Sequence, residues 1–336
     1  IGRGGMGAVM GTVDQDIRRK VAMKIMLPQD RTNTSKVKRF LEEAQITGQL
    51  EHPNIVPVHE IGIEEDSKIY FTMKLVQCED LDSILGKCEA GNKAYLERYS
   101  LGNLIQIFMK VCDGISYSHA KGVLHRDLKP ENIMIGDFGE VLVMDWGIAK
   151  ILGQEDTVAE IPDEVREAAL QHDQTIEGKV MGTPSYMSPE QAWGKVSELD
   201  ERSDVFSLGG ILYKILTGQA PYEGDTAMEK LADARNYELV SPDMIAPERN
   251  IPPELTAICM KAMAYHPDEL YRTARDIKND LQLYLDVKCV SANMDSLLVR
   301  TRKWIVRNKV AAIGIAAALI CLIAGGVFMW LYEQRK

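Results

Sequence analysis

Apolar and polar positions change their spacing along this 336-residue chain. Up to residue 76 the pattern suits strands interrupted by one helix. "GAVMGTVDQD" and "KVAMKIML" carry Val and Met set off by polar residues, which predicts a hairpin. "SKVKRFLEEAQITGQL" places Val37, Phe40, Leu41 and Ala44 at helical spacing. "IVPVHEIGI" and "KIYFTMKLV" read as strands again. From about residue 81 onward helical patterns dominate. "LGNLIQIFMKVCDGISYSHAKG" is a long apolar-striped helix ending near Gly122. "SDVFSLGGILYKILTG" is another, with Ser203 or the residue before it as N-cap and Gly218 as its stop. The expected architecture is α+β: a small β-rich lobe (1–76), then a larger helical lobe (77–290), without internal repeats.

The pattern changes again near the C-terminus. Val310 to Tyr332 is 23 residues without a charge. At ~1.5 Å rise per residue such a helix crosses a hydrocarbon core of roughly 30 Å. We read 310–332 as a single transmembrane helix, because it is apolar all round and sits between charged flanks. Residues 291–309 form a basic juxtamembrane segment with Arg300, Arg302, Lys303, Arg307 and Lys309; after the span come Arg335 and Lys336. The positive-inside rule then places the preceding domain in the cytoplasm, with 333–336 beginning an extracytoplasmic part. The chain opens at Ile1 inside a Gly-rich run, so the first lobe is expected to be incomplete at its N-terminus.

Charge narrows the classes of function. The formal net charge of -10 argues against a broad phosphate-backbone-binding surface, so no nucleic-acid partner is expected. One acidic stretch, Ile151 to Gly178, reads as a solvated surface insertion in which "PDEVREAALQH" could form a short helix. The six cysteines make no CxxC pair and no zinc-like cluster, which suits free thiols in a reducing compartment.

Two stretches carry candidate chemistry. "GRGGMGAV" sets Gly2, Gly4 and Gly7 as G-x-G-x-x-G, followed by Val9. Glycines let a backbone approach phosphates and present N–H groups to them. A dinucleotide fold needs a helix directly after such glycines. Here a strand-like run follows, and then "VAMK". "VLHRDLKPENIM" packs four charges and an Asn between apolar flanks, with a Pro that forbids a regular helix. Such charges are costly unless they line a cleft or face water.

Taken in order, these motifs resemble the protein kinase family, from Gly2 to about Leu285. The resemblance implies a two-lobed kinase fold that binds ATP and Mg2+, with Mn2+ as an alternative. It places Gly2, Gly4, Gly7, Val9, Ala22, Lys24, Met73 and Val76 around the nucleotide. It pairs Lys24 with a helix Glu, for which "FLEEAQ" offers Glu42 and Glu43; Glu43 matches the family position. In "HRDLKPEN" it makes Asp127 the group that takes or orients the substrate hydroxyl proton. Lys129 would steady the transferring phosphoryl group, and Asn132 would bind metal beside Asp145. His125 is expected to be structural, and Arg126 to meet a phosphate on the activation segment.

The chain departs from the family pattern at Trp146, which stands in "DWG" where Phe is usual. It should fill the same apolar slot but carries an N–H. "GTPSYMSPEQ" resembles the end of an activation segment, with Thr183 near Asp127 and Lys129. Asp204 resembles the buried Asp that braces the catalytic loop, and Arg272 a partner for Glu190. The style of these motifs, with one span behind the domain, resembles bacterial receptor-type Ser/Thr kinases.

The expected function is a membrane-anchored Ser/Thr kinase that acts on protein substrates. Thr175 is the first candidate for activation-segment phosphorylation and Thr157 the second. The competing reading is a catalytically silent scaffold, which only Trp146 favours. Gly325-Gly326 would allow close helix packing in a homodimer.

Overall fold

The computed structural model describes residues 2–3, 7–63, 69–76, 78–151, 182–195, 198–293 and 297–334. Gly4, Thr157 and Thr175 lie outside the described residues.

The first part is an antiparallel sheet of five strands in the order β1-β2-β3-β5-β4. The strands are β1 (Gly2–Arg3), β2 (Gly7–Asp14), β3 (Arg19–Met26), β4 (Val58–Ile63) and β5 (Ile69–Lys74). The expected hairpin is β2–β3, whose register sets Val9 opposite Lys24. One helix, α1 (Thr34–Gln49), packs on this sheet; Asn33 caps it by accepting the Lys36 N–H. Phe40 and Ala44 of the helix meet Phe71, Met73, Ala22 and Met26 of the sheet in a core separate from that of the rest of the chain. The Phe40 and Phe71 rings lie 5.2 Å apart.

The second part is mainly helical. It contains α2 (Leu81–Glu89), α3 (Lys93–Arg98), α4 (Leu101–Ala120), α5 (Pro189–Ala192), α6 (Glu201–Thr217), α7 (Ala227–Asn236), α8 (Pro242–Ile245), α9 (Pro253–Ala262) and α10 (Ala274–Leu285). Two small antiparallel sheets sit at its top: β6 (Cys78–Asp80), β8 (Ile133–Gly136) and β9 (Val141–Val143) in one, β7 (Val123–Leu124) and β10 (Lys150–Ile151) in the other. The α4 and α6 helices form the centre of the larger core, with Phe108, Ile115, Phe206 and Ile211 fully buried. The α4 stripe ends as expected, with Gly122 at φ +73° just beyond it. The α6 helix also stops at Gly218, at φ +82°. Its start differs from expectation. Asp200, not Ser203 or Arg202, is the N-cap, and its carboxylate accepts the Arg202 N–H at 2.8 Å. A carboxylate at that end also suits the positive helix terminus. Ser203 is thereby left inside the first turn, where its hydroxyl serves Glu190.

Two further helices close the chain: α11 (Leu297–Arg307) and α12 (Lys309–Gln334). The latter is long and apolar enough to cross a membrane, and none of its Lys309–Val327 window is buried.

Candidate active site

The two lobes bring Lys24 and Glu43 of the first within electrostatic reach of Asp145 of the second. On β3, alternation turns Lys24 to the same face as Ala22, towards α1. Its Nζ donates to Glu43 Oε1 at 2.5 Å, and both side chains are largely buried. Glu42, on the adjacent helical position, is turned more to solvent and lies 3.7 Å from Lys38. The choice between the two glutamates is thus settled by helix phase. Burial pulls the Lys24 pKa down, but the Glu43 and Asp145 carboxylates outweigh it and hold the ammonium above its usual range. Burial also pushes the Glu43 carboxyl up, against the pull of Lys24. With Lys24 held charged at this distance, the pair is an ion pair. The influence of Asp145 places all three charges in one site.

Gly7 lies beside this strand, on β2 opposite Met26. A Cβ there would come within 2.8 Å of the Ile25 carbonyl oxygen, and 3.4 Å of Lys24 Cγ. Ala22 and Met73 face each other across β3 and β5 and are buried, with Val9 packed beside them. These form an apolar wall next to a charged lysine. Val76, two residues past the end of β5, is half-buried. Gly2 pairs with Val9 at the sheet edge.

The loop after β7 is held from behind by Asp204. Its carboxylate accepts the backbone N–H groups of His125 and Arg126, each at 2.8 Å, and the His119 Nε2–H at 2.8 Å. Burial works to raise the Asp204 pKa. The His119 hydrogen bond and the N–H groups prevail, and hold it below the usual carboxylate range. Arg126 adopts φ +68°, a left-handed conformation that costs about 1–3 kcal/mol for such a residue. Fixing the N–H groups on both sides of the His125 Cα is what makes that conformation stable.

His125 has both ring nitrogens committed. Its Nε2 donates to the Met144 carbonyl at 3.0 Å, and its Nδ1 accepts the Asp127 N–H at 3.3 Å. With both nitrogens engaged by the backbone, this histidine shapes the loop. Trp146 packs on it with ring centroids 4.6 Å apart and is fully buried. The Trp146 N–H finds no acceptor among the described residues.

Asp127, Lys129 and Thr183 form a closed triangle. Thr183 gives Asp127 Oδ1 both its N–H and its hydroxyl, each at 2.8 Å. Lys129 Nζ donates to the Thr183 oxygen at 2.8 Å and lies 3.0 Å from Asp127 Oδ2. Gly182 makes the approach feasible. It sits at φ +113°, and a Cβ there would fall 2.9 Å from the Arg126 carbonyl. Gln191 locks the other side by donating to that same carbonyl at 2.9 Å.

Asn132 donates its amide N–H to the Asp127 carbonyl at 2.9 Å, which presents its oxygen to the cleft side as an acceptor. Its own carbonyl takes the Met144 N–H at 2.8 Å, tying the Asn132 and Asp145 segments together. Asp145 is exposed and holds φ +58°. An amide oxygen and a carboxylate are hard donors that fit Mg2+ or a similar cation, which takes few protein ligands and completes its shell with phosphate and water. The residues present therefore fit the metal that a nucleotide triphosphate would bring.

Glu190 differs from expectation. It accepts from the Ser203 hydroxyl at 2.7 Å, whereas Arg272 is exposed and makes no ion pair with it. The sequence reading missed Gly182, Gln191 and His119. The φ demand at Gly182 and the reach of Gln191 depend on segments far apart in the chain. His119 lies 85 residues from its partner.

Comparison with known proteins agrees with this geometry. The protein kinase domain family matches residues 1–280, and the chain belongs to that family. It is similar to the serine/threonine-protein kinase PknD of Chlamydia pneumoniae, with 38% identity over 288 residues, covering 85% of this chain and 30% of that protein. The protein of the same name from Protochlamydia amoebophila is 36% identical over 293 residues, covering 85% of this chain and 29% of that protein. That of Chlamydia muridarum is 38% identical over 313 residues, covering 90% and 33%. The chain thus spans about a third of the length of the curated relatives it matches.

Proposed function

We propose that this chain is a membrane-anchored Ser/Thr kinase that transfers the γ-phosphate of Mg-ATP to protein hydroxyls. The observation that carries the reading is the Asp127–Thr183–Lys129 triangle, set beside a closed Lys24–Glu43 ion pair. Bound Mg-ATP supplies the phosphoryl group and the cation that neutralises its charge. Asn132 and Asp145 would hold the cation. Lys24 would hold the phosphates, with Gly2, Gly4 and Gly7 over them and Val9, Ala22, Met73 and Val76 around the base. Asp127 takes the proton of the substrate hydroxyl as its oxygen bonds to phosphorus and the bond to the leaving ADP breaks. Lys129 stabilises charge on the moving phosphoryl oxygens. Little covalent chemistry is asked of the protein, and positioning does the rest.

The Ser/Thr preference rests on Lys129 in the loop and on the names of the relatives. The anchor reading is supported by α12, and the basic segment 291–309 favours a cytoplasmic side for a kinase domain at 1–290. Activation by phosphate on Thr175, or on Thr157, would act through buried Arg126. Protein substrates and a homodimer through the span complete the proposal.

Substituting Asp145→Ala tests the metal assignment. Mg-dependent ATP turnover should vanish while the protein stays folded; unchanged turnover would refute it.

A further inference from the structure

The helix before the span, α11, is joined to the kinase domain on one side only. The chain leading to it is pinned by Asp280, a buried carboxylate on α10. Asp280 accepts the Ser291 N–H and hydroxyl, the Ala292 N–H and the Tyr271 hydroxyl at 2.6–3.0 Å. Four residues apart on α11, Lys303 and Arg307 share a face. Lys303 pairs with Glu254 of α9 at 2.8 Å, both largely buried, and also reaches the Lys288 carbonyl. Arg307 donates to the Val287 carbonyl at 3.2 Å. The cationic face of the helix is therefore spent on the C-lobe.

Among the exposed residues of α11 is an apolar run. Trp304, Ile305 and Val306 are exposed. Arg307 and Asn308 separate them from the start of α12, on which Val310 and Ile313 are more exposed still, at 87% and 70%. Exposed apolar side chains gathered this closely are costly in water. From Trp304 to Val310 is six residues, at most about 9 Å along a helix. The headgroup layer on each side of the hydrocarbon is of similar depth, roughly 5–8 Å. If α12 spans the bilayer with Val310 at the hydrocarbon edge, an upright α11 would set Trp304 just beyond this layer, whereas an α11 lying along the surface keeps it inside the interface. Tryptophan and basic residues are the residue types that suit this layer, and Arg300 and Lys309 are exposed to meet phosphate groups there.

We propose that α11 is a bilayer-interface helix: its Trp304–Val306 surface sits among phospholipid headgroups and upper acyl chains, while Lys303 and Arg307 fasten the kinase C-lobe to it. The occupant is the lipid surface, because Val306 stands only four residues, about one helical turn, before Val310 of the proposed span. The inference rests on the proposed membrane anchor and adds a fixed orientation, with the C-lobe base held against the membrane.

The test places the full chain in nanodiscs of phosphatidylglycerol and phosphatidylethanolamine. Their acyl chains carry bromine either close to the headgroup or close to the terminal methyl. Tryptophan quenching is read for the natural chain, for Trp304→Phe and for Trp330→Phe; the remaining tryptophans, Trp146 and Trp193, lie in the kinase domain and are common to all. We expect quenching by the shallow bromine to fall markedly in Trp304→Phe. Unchanged shallow quenching in that variant, with bromine quenching of Trp330 intact, would overturn the interfacial helix while leaving the span. Absence of bromine quenching at both Trp330 and Trp304 would overturn the anchor itself and this inference with it.

Discussion

Thr183 donates twice to one oxygen of Asp127, through its backbone N–H and its hydroxyl, both at 2.8 Å. The hydroxyl also accepts from Lys129. Thr183→Val keeps the N–H and the shape but loses both side-chain bonds. A hydrogen bond to a charged group is worth about 1.5–3 kcal/mol, so kcat should fall roughly 10- to 100-fold. KM for ATP should change little, and Thr183→Ser should restore most of the rate. Steady-state kinetics of the three proteins check this.

The Lys24–Glu43 pair is largely buried on both sides. Removing one partner strands the other, at a cost of roughly 3–5 kcal/mol. Lys24→Met should therefore lower the unfolding free energy of the first lobe as well as ATP affinity. Denaturant unfolding and nucleotide titration separate the two effects. A variant as stable as the parent would show that the pair is not closed in solution.

Asp204 gives the chain an acid-sensitive brace. Its folded pKa is held below its unfolded value, so its contribution is complete above the unfolded pKa and is lost as pH falls through the folded one. Asp204→Asn should cost roughly 3 kcal/mol near neutrality, because Asn cannot accept the same three charge-assisted bonds. The stability difference between variant and parent should then shrink as the pH falls into the acid range. Thermal unfolding across that range measures it.

Gly182 is needed for its backbone, at φ +113° and 2.9 Å from the Arg126 carbonyl for any added Cβ. Gly182→Ala should displace Thr183 and cost about 1–3 kcal/mol. Activity should fall with it, whereas Gly91→Ala, also at positive φ but with open space around it, should lose stability alone. Parallel melting and activity assays decide.

Much of this was legible in the chain because its cues are local. The β2–β3 hairpin, the α4 stripe and the Gly218 stop follow from the period and punctuation of adjacent residues. The candidate site was legible for the same reason: "HRDLKPEN" fixes Asp127, Lys129 and Asn132 within one loop. What sequence left open depends on tertiary phase and distance. Glu42 and Glu43 are chemically alike, and only the packing of α1 on β3 turns one to Lys24. His119 and Asp204 meet across the helix bundle. Glu190 was expected to pair with Arg272, but Ser203 is closer once Asp200 starts the α6 helix. Trp146 was legible as a departure, whereas its fit against His125 was not.

The central claim is phosphoryl transfer assisted by Asp127. The most direct test is incorporation of labelled phosphate from ATP with Mg2+ by the full chain in nanodiscs, beside Asp127→Asn, followed by phosphoamino-acid analysis. The account predicts phosphoserine or phosphothreonine in the natural chain and almost none in the variant. ATP binding without incorporation in either protein would contradict it, and would leave a nucleotide-binding scaffold in its place.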